Sequence, residues 1–314
     1  MGTAVSSRGA PARVAVVVLD WNGGEETLAC IDSVLASDYP ALDVWLVDNA
    51  SRAPVVDEAR RRHPGLRAIV NSRNLGYSGG NNAGIRAALE AGAEFVLVLN
   101  NDAQLRAETV GELVRVAQGD ASVAAVGAKV LRADDPRRLW LAYGEINYRQ
   151  SLVALIGADA LDGPEYAAAR DVAWVSGCAI FLSRAALERV GLFDEDFFAY
   201  HEEVDWCATA RERGFRVVFA PRAIVYHRGA ASSGGARYVS RRQYLTARNM
   251  IGFARKHASA GQGLKLALFL CATLPLQYLR RLVSGEQAGV ELKVRGILDA
   301  LRGRPIPRAE LGLD

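Results

Sequence analysis

Residues 95–102 read Phe-Val-Leu-Val-Leu-Asn-Asn-Asp, and no other stretch limits the possible folds as much. Five apolar residues in a row read as a strand buried on both faces, as in a parallel sheet covered by helices. The run stops abruptly at Asn100, Asn101 and Asp102. Ligands of open α/β sheets gather just beyond such carboxyl ends, although Asn and Asp are also ordinary turn formers.

The segments around this run alternate in the same way. Strands are predicted over Arg13–Leu19, Asp43–Val47 and Leu66–Val70, and helices over Glu25–Ala36, Val55–Arg62 and Gly79–Ala91. Strands alternating with helices imply a parallel sheet with crossover helices. Glu108–Ala117 and Val123–Val130 continue the pattern. Leu131–Arg170 breaks it with Gly, Pro and Asp, and reads as loops and short strands. Val172–Leu182 is strand-like, Ala185–Val190 and Glu202–Arg213 are helical, and Phe215–Ala220 is a strand stopped by Pro221, with Ile224–His227 following. From Tyr238 onward the chain reads as helical.

With 314 residues, 50% hydrophobic and 23% charged, the chain is globular. A net charge of +3, with no basic run interleaved with aromatics before residue 237, argues against nucleic acid. The four cysteines form no CxxC pair, which favours a reducing compartment over a disulfide or zinc framework. Residues 1–12 lack the pattern of a signal peptide, and Met1-Gly2 with Ser6 matches the short myristoylation pattern. Leu264–Leu279 is apolar apart from Lys265 and Gln277 and is followed by Arg280 and Arg281. At about 15 residues it is shorter than a bilayer span. It reads either as a helix packed on the main domain or as one lying on a membrane with its basic end at the headgroups.

Four further segments can carry chemistry. Asp48, in Val47-Asp48-Asn49-Ala50-Ser51, can accept from a nucleobase or ribose, or simply make an Asx turn. Asn74–Gly84 is glycine-rich at a helix start, which suits either phosphate binding or close helix packing. It is neither GxGxxG after the first strand nor a Walker A loop. Glu202, Glu203 and Asp205 crowd three carboxylates into four positions, so a buried one gains a raised pKa and can act as a base. The alternative is acidic residues favoured by a helix N-terminus. His227 can join Asp102 at a metal or be structural, and Gly229–Gly235 after Arg228 can be a lid or a plain loop.

These segments, together with Leu19-Asp20-Trp21-Asn22-Gly23, Val175-Ser176-Gly177-Cys178, Gly191–Glu195, Arg248-Asn249 and Arg295–Gly303, resemble family 2 glycosyltransferases of the GT-A fold, nearest to a rhamnosyltransferase-like branch. The resemblance implies a Rossmann-like, mostly parallel α/β sheet with a C-terminal helical extension. It implies a nucleotide-sugar-binding and catalytic domain over 1–236 and a helical, membrane-associating region over 237–314. The activity implied is inverting, metal-dependent transfer of rhamnose or a related deoxysugar, from dTDP-rhamnose or a similar donor, to a glycan or lipid-linked acceptor at the inner face of the cell membrane. Donor contacts fall to Asn22, Asp48, Asn49, Asn74, Gly76, Asn81, Asn100 and Asn101. Mg²⁺ or Mn²⁺ falls to Asp102 and His227. The base falls to Glu203, with Glu202 and Asp205 as alternatives, and the acceptor and phosphate loop to Ser176, Gly177, Trp206 and Arg228. Two positions depart from the family pattern. Asn100 replaces the first Asp of Asp-X-Asp, and Glu203 replaces the Asp of a Glu-Asp pair. They admit a non-catalytic sugar-binding domain as an alternative. A sugar-phosphate nucleotidylyltransferase is disfavoured, because Asp20–Gly24 lacks a basic glycine-rich loop.

Overall fold

The computed structural model describes residues 10–149, 151–229 and 239–314. Its strands are β1 (Val14–Asp20), β2 (Leu42–Asp48), β3 (Arg67–Val70), β4 (Phe95–Asn100), β5 (Ala103–Leu105), β6 (Val123–Arg132), β7 (Leu139–Leu141), β8 (Tyr143–Ile146), β9 (Val153–Ile156), β10 (Arg170–Asp171), β11 (Ala179–Ser183) and β12 (Arg216–His227). The helices are α1 (Glu25–Leu35), α2 (Val56–Arg62), α3 (Gly76–Glu90), α4 (Thr109–Gln118), α5 (Arg184–Val190), α6 (Glu202–Glu212), α7 (Arg241–His257), α8 (Ala260–Val283) and α9 (Ala288–Leu301).

The main sheet runs β10-β12-β6-β11-β4-β1-β2-β3. The chain winds outward from β1 to β3 and then returns to place β4 on the other side of β1, so the strand order reverses at β1 and opens a crevice at the carboxyl ends. Only β11 and the short β10, β5 and β7 run antiparallel to their neighbours. Side chains alternate across the sheet. Val14, Val16, Val18, Leu97 and Leu99 pack under α1, α2 and α4. Ala15, Val17, Val96 and Val98 pack under α3, α5 and α6. The fold is therefore a mixed α/β sandwich around a large, mostly parallel sheet.

Three local expectations are corrected. Val172–Leu182 is not one strand: β11 begins only at Ala179, because Ser176 and Gly177 turn the chain, with the Ala179 N–H donating to the Ser176 carbonyl at 3.2 Å. Pro221 does not end a strand, since β12 runs through it with a register shift against β6 between Ala220 and Ile224. On the other edge β10 pairs only with Val218 and Phe219, and β5 only with Val225–His227. Pro221 lies in the gap between them, where a missing N–H costs no ladder bond. The apolar tail segment is a 24-residue helix, about 36 Å long. A Ser259–Gln262 capping box starts it early, and Pro275 sits inside it.

The tail folds back onto the sheet domain. Tyr244 of α7 donates to Asp299 of α9 at 3.0 Å, and the Leu313 carbonyl accepts from Asn74 at 3.0 Å. Helix α8 is long and apolar enough to cross a membrane. It buries Leu266 and Leu270, while Leu264, Leu268, Leu276, Leu279, Leu282 and Val283 are each more than half exposed.

Candidate active site

The carboxyl edge of the sheet gathers the polar residues. β1 ends in Asp20, β2 in Asp48, β4 in Asn100 and β12 in His227. β11 runs the other way, so its leading turn, Ser176–Cys178, arrives at the same edge, with the Asn100 N–H donating to the Cys178 carbonyl at 2.9 Å.

Pairing of β5 with β12 sets Ala103 opposite His227. Asp102 thereby lies beside it, with Oδ1 2.9 Å from Nε2 and both side chains buried. Burial opposes the imidazolium charge, but Cys178 and Asp102 outweigh it and push His227 up to about 10. Its Nδ1 has no partner among the described residues. Asn100 approaches His227 Nε2 at 3.5 Å. Arg228 is exposed, pairs with Glu26 at 3.4 Å and donates its N–H to the Asp102 carbonyl.

The acidic cluster divides. Asp205 turns to the tail, where Lys256 donates to it at 2.7 Å and His257 lies at 2.9 Å. Glu202 is buried, and burial plus the like charge of Glu203 raise it well above the carboxylate range. Glu203 is half-buried, and its Oε2 is shielded and unpartnered among the described residues. Burial raises Glu203 to about 7, while backbone N–H groups, including that of Gly177, restrain the rise. Near neutrality Glu203 is thus half-ionised, beside a Glu202 whose own proton affinity is raised by burial.

Gly177 sits between Tyr77 and Glu203. A Cβ there would lie 3.0 Å from the Tyr77 hydroxyl and 3.7 Å from the Glu203 Cβ. Tyr77 donates to the Gly177 carbonyl. Its hydroxyl pKa is raised well above the usual value by burial and then by Glu202, Glu203, Cys178 and Asp102. One hydroxyl therefore feels both the acidic helix and the Asp102 centre. Tyr77 carries no role in the sequence reading, and only its place inside the glycine-rich run could have drawn attention to it.

The remaining candidates are largely occupied by the protein itself. Asn49 donates to Asn74 Oδ1 at 2.8 Å and to the Gly76 carbonyl at 3.0 Å, and accepts from Asn71 and Leu75. Asn81 donates to the Tyr77 carbonyl. Asn101 donates to Asp20 and Thr27. Asp20, outside the sequence-derived site set, organises this corner through Gly23, Thr27, Asn101 and Ser51. Asn22, at φ +62°, accepts from the Arg52 N–H, and Asp48 Oδ1 accepts from the Ser51 N–H at 3.2 Å. Ser176 is buried and accepts from the Cys178 N–H. Trp206 is fully buried and donates to the Gly191 carbonyl. Glycines 76, 80 and 84 form a packing stripe: Cβ atoms there would lie 2.4 Å from the Phe198 carbonyl, Leu19 and Val17 respectively. The expected lid past Gly229 lies outside the described residues.

The turn before α6 is unusual. The Ala199 N–H donates to the Phe197 carbonyl at 2.6 Å, closing a γ-turn at Phe198, with φ +58° and ψ −61°. Tyr200 and His201 follow at φ +72° and +69°. Such residues cost about 1–3 kcal/mol each and persist where surroundings over-determine them. Burial lowers the His201 pKa to about 4, so this imidazole is neutral.

The family described as "Glycosyltransferase like family 2" matches residues 11–246. A low-salt glycan biosynthesis hexosyltransferase of Haloferax volcanii is 31% identical over 175 residues, 55% of this chain and 54% of that one. An N-acetylglucosaminyl-diphospho-decaprenol L-rhamnosyltransferase of Mycobacterium tuberculosis is 29% identical over 223 residues, 64% of this chain and 70% of that one. The chain thus spans about half the length of the first relative and over two thirds of the second. Among solved structures, GalNAc-T7 with UDP, GalNAc and Mn²⁺ matches 79% of this chain and 48% of its own at TM-score 0.61 and 16% identity. A mannosyltransferase of Pyrobaculum calidifontis with GDP-Man and Mn²⁺ matches 92% and 89% at TM-score 0.54 and 21% identity. The sheet is that of the GT-A glycosyltransferases, and the chain belongs to glycosyltransferase family 2.

Proposed function

We propose that the enzyme is an inverting, metal-dependent rhamnosyltransferase, with Glu203 as the base. The observation that carries this reading is the Glu203 carboxylate: shielded and unpartnered at Oε2, half-ionised near neutrality, and, like Asp102, near enough to the Tyr77 hydroxyl to raise its pKa. Glu203 takes the proton of an acceptor hydroxyl, and that oxygen attacks the anomeric carbon from the face opposite the leaving group. No covalent enzyme intermediate forms. Asp48 reads the nucleobase from the end of β2.

The buried Asp102–His227 pair suits a divalent cation that would displace the proton between them, since Asp102 Oδ1 and His227 Nε2, 2.9 Å apart, could face the same ion. Among the described residues no cluster of three or more ligands forms, so two protein donors would hold Mg²⁺ or Mn²⁺ together with diphosphate oxygens. When bound, such an ion supplies charge neutralisation for the departing diphosphate. The Mn²⁺ complexes of the two structural neighbours support this dependence. The mycobacterial relative's name supports rhamnose as the sugar transferred and a lipid-linked acceptor, and dTDP-rhamnose is the donor we propose. The exposed apolar stripe of α8, on a helix without acidic residues and with Lys265, Arg280 and Arg281, supports seating at the inner membrane face.

The test is Glu203→Gln. Turnover of dTDP-rhamnose falls about 10²–10⁴-fold, as for loss of a general base, while donor affinity by calorimetry changes less than twofold. Turnover near the wild-type rate removes Glu203 from the reaction.

A further inference from the structure

The turn that presents Glu202 and Glu203 is held from outside the sheet domain. Four carbonyls of this turn point at one spot on α7. Arg248 donates to the Asp196 carbonyl at 2.9 Å. Asn249 directs Nδ2 to the carbonyls of Phe197 at 2.7 Å, Ala199 at 2.8 Å and Tyr200 at 2.7 Å. Asn249 is buried. Carbonyl dipoles that converge like this repel unless a donor sits between them, and the amide group of Asn249 is that donor. From the other side, the Phe198 carbonyl accepts from the Ser78 N–H at 3.1 Å, and Phe198 presses on Gly76. One turn of α6 further on, the same helix α7 holds Asp205 through Lys256 and His257.

We infer that Asn249, seconded by Arg248, is a positioning residue of the transfer reaction, fixing the positive-φ turn at residues 196–201 so that α6 starts with Glu203 aimed into the cleft. The inference rests on Glu203 as the base. The physical reason is the conformation of the turn. Phe198, Tyr200 and His201 all have positive φ, and without the two N–H donors of the Asn249 amide among these three carbonyls the segment relaxes toward ordinary backbone angles. The His201 carbonyl accepts the Asp205 N–H at 2.9 Å, so any rotation at His201 passes directly into the first turn of α6. Misplacement by about 1 Å costs on the order of 10²-fold in rate, whereas donor contacts on β2 and β4 stay where they are.

The experiment compares Asn249→Ser, which retains a single donor, with Tyr244→Phe, which removes the α7–α9 bond to Asp299 and leaves the turn untouched. The substrates are dTDP-rhamnose and N-acetylglucosaminyl diphosphate on a short prenyl chain, with Mn²⁺. Asn249→Ser lowers kcat about 10–100-fold with KM and calorimetric Kd for dTDP-rhamnose within twofold, and Tyr244→Phe lowers Tm with kcat within twofold. Amide exchange on the free proteins shows protection lost over residues 196–206 in Asn249→Ser alone. The inference is overturned if Asn249→Ser keeps its kcat, if both variants lose kcat in step with Tm, or if the exchange pattern of residues 196–206 does not change. Should wild type fail to turn over these substrates, the functional reading fails, and the exchange data still decide the clamp.

Discussion

Replacing the Glu203 carboxyl by an amide should stabilise the protein at alkaline pH while it slows the reaction. The folded chain holds this carboxyl up to about 7 against an ordinary 4.5, and burial is the cause. A carboxyl raised in this way binds its proton more tightly in the folded state than in the unfolded chain. Its contribution to stability is fully present below pH 4.5 and is lost as pH rises through 7. Between pH 5 and 8.5 the linkage relation gives wild type a relative loss of about 2.5 kcal/mol, an upper value because the half-buried side chain still meets water. Glutamine at the same position has no such loss. Urea denaturation of both proteins at the two pH values measures it. The stability gap should shift in favour of Glu203→Gln by about 1–2.5 kcal/mol on going to pH 8.5, with equal m values. A gap that is the same at both pH values would mean that burial does not raise this carboxyl, and the argument for a base poised at neutrality would lose its footing.

The same titration sets the rate. kcat of wild type should fall about tenfold per pH unit well below 7, as Glu203 takes up its proton, and a pH-independent kcat between 5 and 8 would contradict this. Asp102→Ala should weaken Mn²⁺ and dTDP-rhamnose binding together in calorimetry, since a carboxylate is the harder of the two proposed protein donors; unchanged affinity for both would refute the metal assignment. Gly84→Val should destabilise by about 3 kcal/mol, because even its first carbon would sit 2.4 Å from Val17 and 2.9 Å from Val47; an unchanged urea midpoint would show that α3 can lift off the sheet without loss. Full-length protein should sediment with phosphatidylglycerol vesicles, and Leu268→Asp with Leu279→Asp should reduce this at least tenfold, since charges on an apolar face oppose insertion; equal sedimentation would move the contact elsewhere.

How much of this was legible in the sequence depends on how far apart the interacting residues lie. Phe95–Leu99 announces a buried parallel strand because every side chain meets a covered face, so the winding of the sheet follows from local pattern alone. Asp102 and His227 each stand out, one just past the run Phe95–Leu99 and one closing Ile224–His227. Their pairing arises from the short β5 lying against the end of β12, and three residues such as Ala103–Leu105 carry too little periodicity to announce a strand. Pro221 misleads for a related reason: it stops a strand only if a neighbour needs its N–H, and here both neighbours end short of it.

The acidic cluster carries the same reasoning into the site. Helical spacing puts Glu202 and Asp205 on one face and Glu203 on another, yet it cannot say which face is the cleft. That is settled by Lys256 and His257, about fifty residues further along, which occupy Asp205 and thereby leave the second glutamate as the half-buried carboxylate with an unpartnered oxygen. Asp205 is held by Lys256 and His257, Glu202 is buried with its proton affinity raised, and Glu203 titrates near the pH at which a hydroxyl must be activated. A tail helix that reads as an appendage in the sequence therefore holds the acidic segment at both ends, through Asn249 at the turn before α6 and through Lys256 and His257 at Asp205.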